Sequence, residues 1–218
     1  MSDYYNSFIH LLFVGVVALF PVINPIGSAL MVNRYFAHLG KTERRKVVVK
    51  ISVYAFILCT ATLLVGHYIL EVFGITIPVI RIAGGIMICK TGWEFLNAKA
   101  GDKEENASQE PFRTDKLQEQ IFFPITFPIT TGAGTMAVLF TLGAHSTNED
   151  FTNYLFNTSA LVLSIFIMCA LVYFLYLNTE TLLRYASSNG ERIINRIMAF
   201  LTFCVGLQIA VTGIKTLA

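Results

Sequence analysis

Two short stretches bring together the residue types a polar ligand would need in an otherwise apolar chain. Phe20-Pro21-Val22-Ile23-Asn24-Pro25-Ile26 is followed by Gly27 and Ser28. Phe123-Pro124-Ile125-Thr126-Phe127-Pro128-Ile129 is followed by Thr130, Thr131, Gly132, Gly134 and Thr135. Both read F-P-x-x-x-P-I. A proline in a helix interior removes a hydrogen bond and clashes with the preceding turn, at about 3 kcal/mol or more. Two of them close together, followed by glycine, predict a helix that stops and restarts. Restarts near Gly27 and near Thr131 to Gly134 would offer unpaired N–H groups and about half a positive charge, which suits a carboxylate. The carbonyls ending the preceding halves suit an ammonium group or Na⁺, so a zwitterionic amino acid would use both. Asn24, Ser28, Thr126, Thr130, Thr131 and Thr135 add neutral donors and acceptors. A plainer reading stays open, in which the prolines only kink packed helices and each threonine bonds its own backbone. Asn24 is the stronger ligand candidate, because a buried amide is costly unless partnered.

Four further polar residues fall inside apolar runs. Lys90 is the basic residue deepest in such a run, and Glu94 lies one helical turn on, on the same face. Charges within a membrane are functional candidates by default, but Lys90 can equally snorkel with Glu94 neutralising it. Arg81 reads as a gate or an interfacial anchor. Gln208 should face other helices, where a packing hydrogen bond is its expected role. Glu180 closes an apolar run and reads as interfacial.

The elements that must hold these residues follow from composition. The 218 residues are 55% hydrophobic and only 14% charged, with 18 Phe and a mean hydropathy of +0.62. Soluble domains carry roughly 25% charged residues, and so much apolar surface could not be hidden inside so small a soluble fold. The solvent is lipid. A bilayer core of about 30 Å needs about 20 apolar residues of helix. Six runs meet that length, near Phe8–Val32, Val47–Leu70, Ile77–Leu96, Ile121–Ala144, Tyr154–Leu177 and Ile193–Leu217. The expected fold is an all-α polytopic membrane protein of six transmembrane helices, the first and fourth broken at their proline pairs.

Lys and Arg set the orientation. Thirteen of the 16 lie in the first, third and fifth connections, and the stretch from Gly143 to Asn153 has none. Both termini are therefore expected on the periplasmic side. The polar linker, residues 99–120, reads as a cytoplasmic loop between a first unit, 1–98, and a second, 121–218. The third and sixth runs also match, with Gly85, Thr91-Gly92 and Leu96 against Gly206, Thr212-Gly213 and Leu217. Two halves of three spans each are necessarily inverted, so the expected plan is two inverted three-helix repeats. Corresponding broken helices in such halves point to a transporter's central site.

The residues from Phe73 to Gly85 (F-G-I-T-I-P-V-I-R-I-A-G-G), the Asn24-Pro25 pair, Pro128 to Thr135 (P-I-T-T-G-A-G-T) and Arg196-Ile-Met-Ala-Phe with Gly206-Leu-Gln208 resemble the MarC family of bacterial inner-membrane proteins. The likeness covers nearly the whole chain. It implies six spans in the inner membrane and a grouping with amino-acid exporters of the LysE type, some relatives being described as carriers of small neutral amino acids. Ala133 stands where many members have proline, which is expected to leave the second break less sharp than the family norm.

The function read from these features is secondary transport of a small polar, amino-acid-like solute, with the export direction implied by the resemblance alone. Nothing resembles a nucleotide-binding loop, a catalytic constellation or a cofactor motif, and a net charge of +2 gives no reason to expect nucleic acid as a partner. Coupling to an ion such as Na⁺ stays open, with no metal site assigned. Two alternatives remain. One is a membrane redox carrier, against which Cys59, Cys89, Cys169 and Cys204 count by being scattered with no C-x-x-C pair. The other is a scaffold or regulatory subunit that transports nothing.

Overall fold

The computed structural model describes residues 2–36, 39–97, 120–146, 151–185 and 188–217, and the regular structure among them is helical throughout. In chain order the elements are α1 (Ser2–Ile23), α2 (Pro25–Phe36), α3 (Lys41–Val72), α4 (Ile77–Asn97), α5 (Ile121–Thr130), α6 (Ala133–Ser146), α7 (Phe151–Leu177), α8 (Thr179–Tyr185) and α9 (Ser188–Leu217). Apart from Gln120, the expected cytoplasmic loop lies outside the described residues.

Four stretches are long and apolar enough to cross a membrane: Ser7–Asn33, which combines α1 and α2, then Lys41–Gly66, Thr152–Leu177 and Arg196–Leu217. The pair α5–α6 adds a fifth if its two arms count as one bent span. The sixth expected run, α4, has 21 residues but carries Arg81, Lys90 and Glu94, so it qualifies by length and not by composition. At 1.5 Å per residue α3 is about 48 Å long, more than a bilayer core requires, and its last residues, 67–72, run past the apolar stretch.

Burial runs opposite to that of a soluble protein. Phe13, Trp93, Phe166, Phe174 and Phe200 are exposed on the outside of the bundle. Asn24, Ser28, Arg44, Thr126, Thr130, Thr131 and Thr135 are buried. A lipid solvent explains both, since it welcomes apolar side chains and leaves polar groups to find partners inside. The apolar core around Leu19, Ile51, Ile125, Leu139, Ile165 and Met168 joins α1, α3, α5, α6 and α7.

The closest helix pair is α4 with α9, and glycine makes it possible. A Cβ on Gly85 would meet the Ala210 nitrogen at 2.5 Å and the Gly206 oxygen at 2.6 Å. One on Gly206 would meet the Cys89 nitrogen at 2.6 Å and the Gly85 oxygen at 2.8 Å. Backbone therefore touches backbone along this seam, as small residues allow in membranes. The same α4 also packs against α6, where Gly84 lies on Ala137.

Candidate functional site

At the first break the chain departs from helical geometry at a single residue. Asn24 has φ +45°, the left-handed region that asparagine tolerates better than most residues. Its N–H still donates to the Phe20 carbonyl at 3.0 Å, closing α1. Its own carbonyl accepts from the Ser28 N–H at 2.8 Å, and its side-chain oxygen accepts from the Gly27 N–H at 3.2 Å. Asn24 is thus the N-cap of α2, with Pro25 at the first helical position, where its missing N–H costs nothing. The restart falls at Pro25 and not near Gly27, and the Gly27 and Ser28 amides expected to await a ligand are both bonded to Asn24. Gly27 is small because the Asn24 amide lies against it.

Proline also leaves a carbonyl behind. In an unbroken helix the Pro21 carbonyl would accept from residue 25, which as proline has no N–H. Thr202 of α9 comes to that carbonyl: its one hydroxyl proton is shared between the Pro21 oxygen at 2.9 Å and the Met198 carbonyl of its own helix at 2.8 Å. The first break is therefore sealed from a different helix, and α1 with α2 runs as one apolar stretch.

The second break is wider and sharper. The tandem F-P-I-T-F-P-I-T places Phe123 and Phe127 in extended backbone (φ −122°, ψ 121° and φ −123°, ψ 124°), each before a cis proline. Threonine hydroxyls bond carbonyls of this irregular segment five residues back: Thr126 reaches the Ile121 carbonyl at 2.7 Å and Thr130 the Ile125 carbonyl at 2.8 Å. Thr131 donates to the Thr126 carbonyl through both its N–H and its hydroxyl, each at 2.9 Å. These three threonines behave as the plainer reading anticipated, repairing their own backbone. Between α5 and α6 the chain bends by 64°, even with Ala133 in place of proline. Pro128 is exposed, Gly132 and Gly134 are half-buried, and Thr135 is buried in the first turn of α6. Among the described residues the Thr135 hydroxyl has no hydrogen-bond partner.

The two breaks meet at Tyr176, the largest fully buried side chain. Its hydroxyl lies 2.8 Å from the Thr130 hydroxyl. Because Thr130 already donates its one proton to Ile125, Tyr176 is the donor. The Ser28 side chain of α2, whose hydroxyl donates to the Pro25 carbonyl at 3.3 Å, lies near the same hydroxyl. Tyr176 thus stands between a residue of each break.

One turn further along α7 a buried cation closes the bundle end. Arg44, 6% exposed, donates to the Glu180 carboxylate at 2.8 Å, to the Tyr176 carbonyl at 3.0 Å and to the Thr179 hydroxyl. Thr179 in turn donates to the Asn33 side-chain oxygen of α2 at 2.9 Å. The Phe36 ring lies under the guanidinium, 5.4 Å from its centroid, and edge-on to Tyr176. Neither residue belongs to a motif in the sequence: Arg44 is one of the basic residues of the first connection, and Tyr176 one aromatic among many. The phase of α3 held a signal, because Arg44 continues the buried stripe of Val47, Val48, Ile51 and Ala55.

The other candidates do not join this centre. Lys90 and Glu94 pair at 3.8 Å with both side chains mostly exposed, as snorkelling implies. Gln208 is exposed and bonds Thr212 of its own helix at 3.3 Å, against the expectation that it would face neighbouring helices. The cause is the seam with α4, which turns Gly206, Ala210 and Gly213 inward and so points Gln208 outward. Arg81 is buried in the first part of α4, beside Gly213. The four cysteines are free, and no group of three or more His, Cys, Asp or Glu that could hold a metal occurs among the described residues. Surface recesses of about 520 Å³ beside Ser7, His10, Leu11 and Asn157, and about 510 Å³ beside Phe56, Leu155 and Phe166, include none of the break residues.

Apolar helices with lipid-facing aromatics, wrapped around buried polar breaks, define a multi-pass helical membrane protein. Residues 9–218 match the sequence model described as MarC family integral membrane protein, and the chain belongs to that family. The chain is 28% identical over 207 residues to the inner membrane protein MarC of Escherichia coli strain K12, and equally to that of Shigella flexneri, covering 92% of either chain in each case. No solved structure matches it.

Proposed function

We propose that this chain is a six-span carrier, and not an enzyme, for small polar solutes of the amino-acid class in a bacterial inner membrane. The observation that carries the reading is the Tyr176 hydroxyl between Thr130 and Ser28, which draws the two proline breaks to one buried polar centre. The N-terminal turn of α6 offers a carboxylate the positive end of a helix dipole and the unpartnered Thr135 hydroxyl. Backbone carbonyls end the preceding segments, and an ammonium group would displace the hydroxyls of Thr202, Thr126, Thr130 or Thr131 that bond them in this structure. The relatives, themselves inner membrane proteins by name, support the inner membrane, and the excess of Lys and Arg in the first, third and fifth connections supports periplasmic termini.

Two inverted halves are part of the proposal, and α4 with α9 supplies the support. Pairing Gly85 with Gly206 and Gly92 with Gly213 also pairs Cys89 with Ala210, Ile82 with Phe203 and Pro78 with Ala199. The contacts obey that pairing in both directions: Gly85 lies on Ala210 and Gly206 on Cys89, Gly92 on Phe203 and Ala199, Gly213 on Ile82 and Pro78. Thr91 bonds the Met87 carbonyl as Thr212 bonds that of Gln208. Reciprocal contacts of this kind are what a two-fold axis between the helices produces. The breaks differ, one being a capped kink and the other a 64° bend, so the α6 arm is the better candidate for ligand contact.

The scaffold alternative draws on the internal satisfaction of Thr126, Thr130 and Thr131, which leaves fewer free groups than a ligand site needs. Uptake and efflux of a radiolabelled amino-acid panel in proteoliposomes, with and without Na⁺ and proton gradients, separates the two. Gradient-dependent flux that falls several-fold in Thr135→Val supports the carrier. No flux of any solute under any gradient sinks it.

A further inference from the structure

We infer that Arg44, Glu180, Thr179 and Asn33 form a closure over one mouth of the bundle, sealing the route from that surface to Tyr176 and the two breaks. The inference rests on the carrier reading and names the part of it that controls access.

A buried arginine at the start of a helix needs an explanation, because the positive end of the α3 dipole disfavours it there. Its partners provide one. Arg44 and Asn33 belong to the first half of the chain, whereas Tyr176, Thr179 and Glu180 belong to the second, and each bond of the cluster crosses between them. The cluster runs inward from the surface: the Glu180 side chain is 66% exposed, Arg44 is buried beneath it, and Tyr176 is fully buried beneath Arg44. The Tyr176 carbonyl holds the cluster while its hydroxyl holds Thr130 of the second break. Breaking the ion pair therefore frees the α7–α8 junction at Asn178, loosens the cover over Tyr176 and exposes the groups behind it. A simple helix cap would need only the Tyr176 carbonyl and would not engage Glu180 and Asn33 as well.

The test reads access and not transport. Ser28→Cys is placed in an otherwise cysteine-free chain, and sealed vesicles of either orientation are treated with a membrane-impermeant maleimide. From the face bearing the α3 N-terminus, Glu180→Ala should speed labelling by about threefold, the effect of losing an ion pair whose carboxylate is largely exposed. Glu180→Gln should fall between parent and alanine, and Glu180→Lys should exceed both. Glu180 is largely exposed, so these variants spare the core, and detergent gel filtration verifies that each is folded. Glu71→Gln, exposed at the other end of α3, should change nothing. Labelling that ignores the Glu180 series, or that rises equally from both faces, overturns the closure. Because no solute is involved, that outcome is separate from failure of the carrier, which the proteoliposome flux decides.

Discussion

The hydroxyl of Tyr176 lies 2.8 Å from the hydroxyl of Thr130, and this bond ties the penultimate residue of α7 to the last residue of α5. The relationship makes Tyr176 a positioning residue for the second break. Tyr176→Phe keeps the ring against Phe36 but leaves Thr130 without its donor. The expected loss is about 1 kcal/mol of stability, read as a lower melting temperature in detergent. Solute flux should fall by more than that loss explains, and flux equal to the parent's would remove Tyr176 from the site.

Asn24 serves two purposes that substitution can separate. Asn24→Gly keeps the left-handed backbone and loses the side-chain cap, whereas Asn24→Leu loses the cap and strains the backbone as well. Losing the cap to glycine costs about 0.3 kcal/mol and to leucine about 1 kcal/mol, and the strained backbone adds about 1–2 kcal/mol for leucine. Thermal unfolding should therefore rank parent, glycine and leucine in that order. Glycine and leucine variants of equal stability would show that the positive φ at residue 24 carries no cost.

Thr202 should be costly to replace although it belongs to neither break. Thr202→Val orphans the buried Pro21 carbonyl, at about 1–3 kcal/mol. The contrast is Thr212→Val, where the lost hydroxyl bonds only its own helix and Gln208 on the exposed face. If both valine variants melt together, the Pro21 carbonyl has another partner.

The α4–α9 seam should not accept a methyl group. Gly85→Ala and Gly206→Ala both drive a Cβ into opposing backbone, which cannot move aside as a side chain can. Overpacking of this kind costs about 1–3 kcal/mol, and the two variants should suffer alike because their surroundings are reciprocal. Gly40→Ala, with open space around it, should stay within about 0.5 kcal/mol of the parent. A large difference between Gly85→Ala and Gly206→Ala would count against the two-fold relation.

Sidedness is checked at the two ends of α3. In a chain lacking Cys59, Cys89, Cys169 and Cys204, Glu71→Cys should react with an impermeant maleimide in intact cells and Glu43→Cys should not. Both positions are exposed. The reverse pattern would invert the orientation drawn from the Lys and Arg excess. The cysteine-free parent should also retain flux, since no thiol lies at a break; its complete inactivation while folded would revive the redox reading.

Much was legible in the sequence because lipid imposes simple rules. Apolar runs had to be helices, and their lengths located the ends of α4, α7 and α9 to within a few residues. Paired prolines had to interrupt two of them, and both interruptions occur where the prolines lie. Gly85, Gly92, Gly206 and Gly213 were visible as a matched set before any contact was known. These features depend on chain-local chemistry, namely the missing proline N–H, the missing glycine Cβ and the cost of unpaired backbone in hydrocarbon.

What the sequence left open was which groups find one another across the bundle. Thr202 repairs a carbonyl nearly the whole chain away, Arg44 crosses from the start of α3 to the end of α7, and Tyr176 reaches between two breaks. Gln208 was turned outward by a seam that lies on the other side of its own helix. Periodicity gives the face a residue occupies relative to its own helix, but the rotation of that helix and the depth of its neighbour are set by packing all helices at once. Whether a buried polar group is a free ligand contact or an internal repair depends on that rotation, so only the tertiary structure decided it.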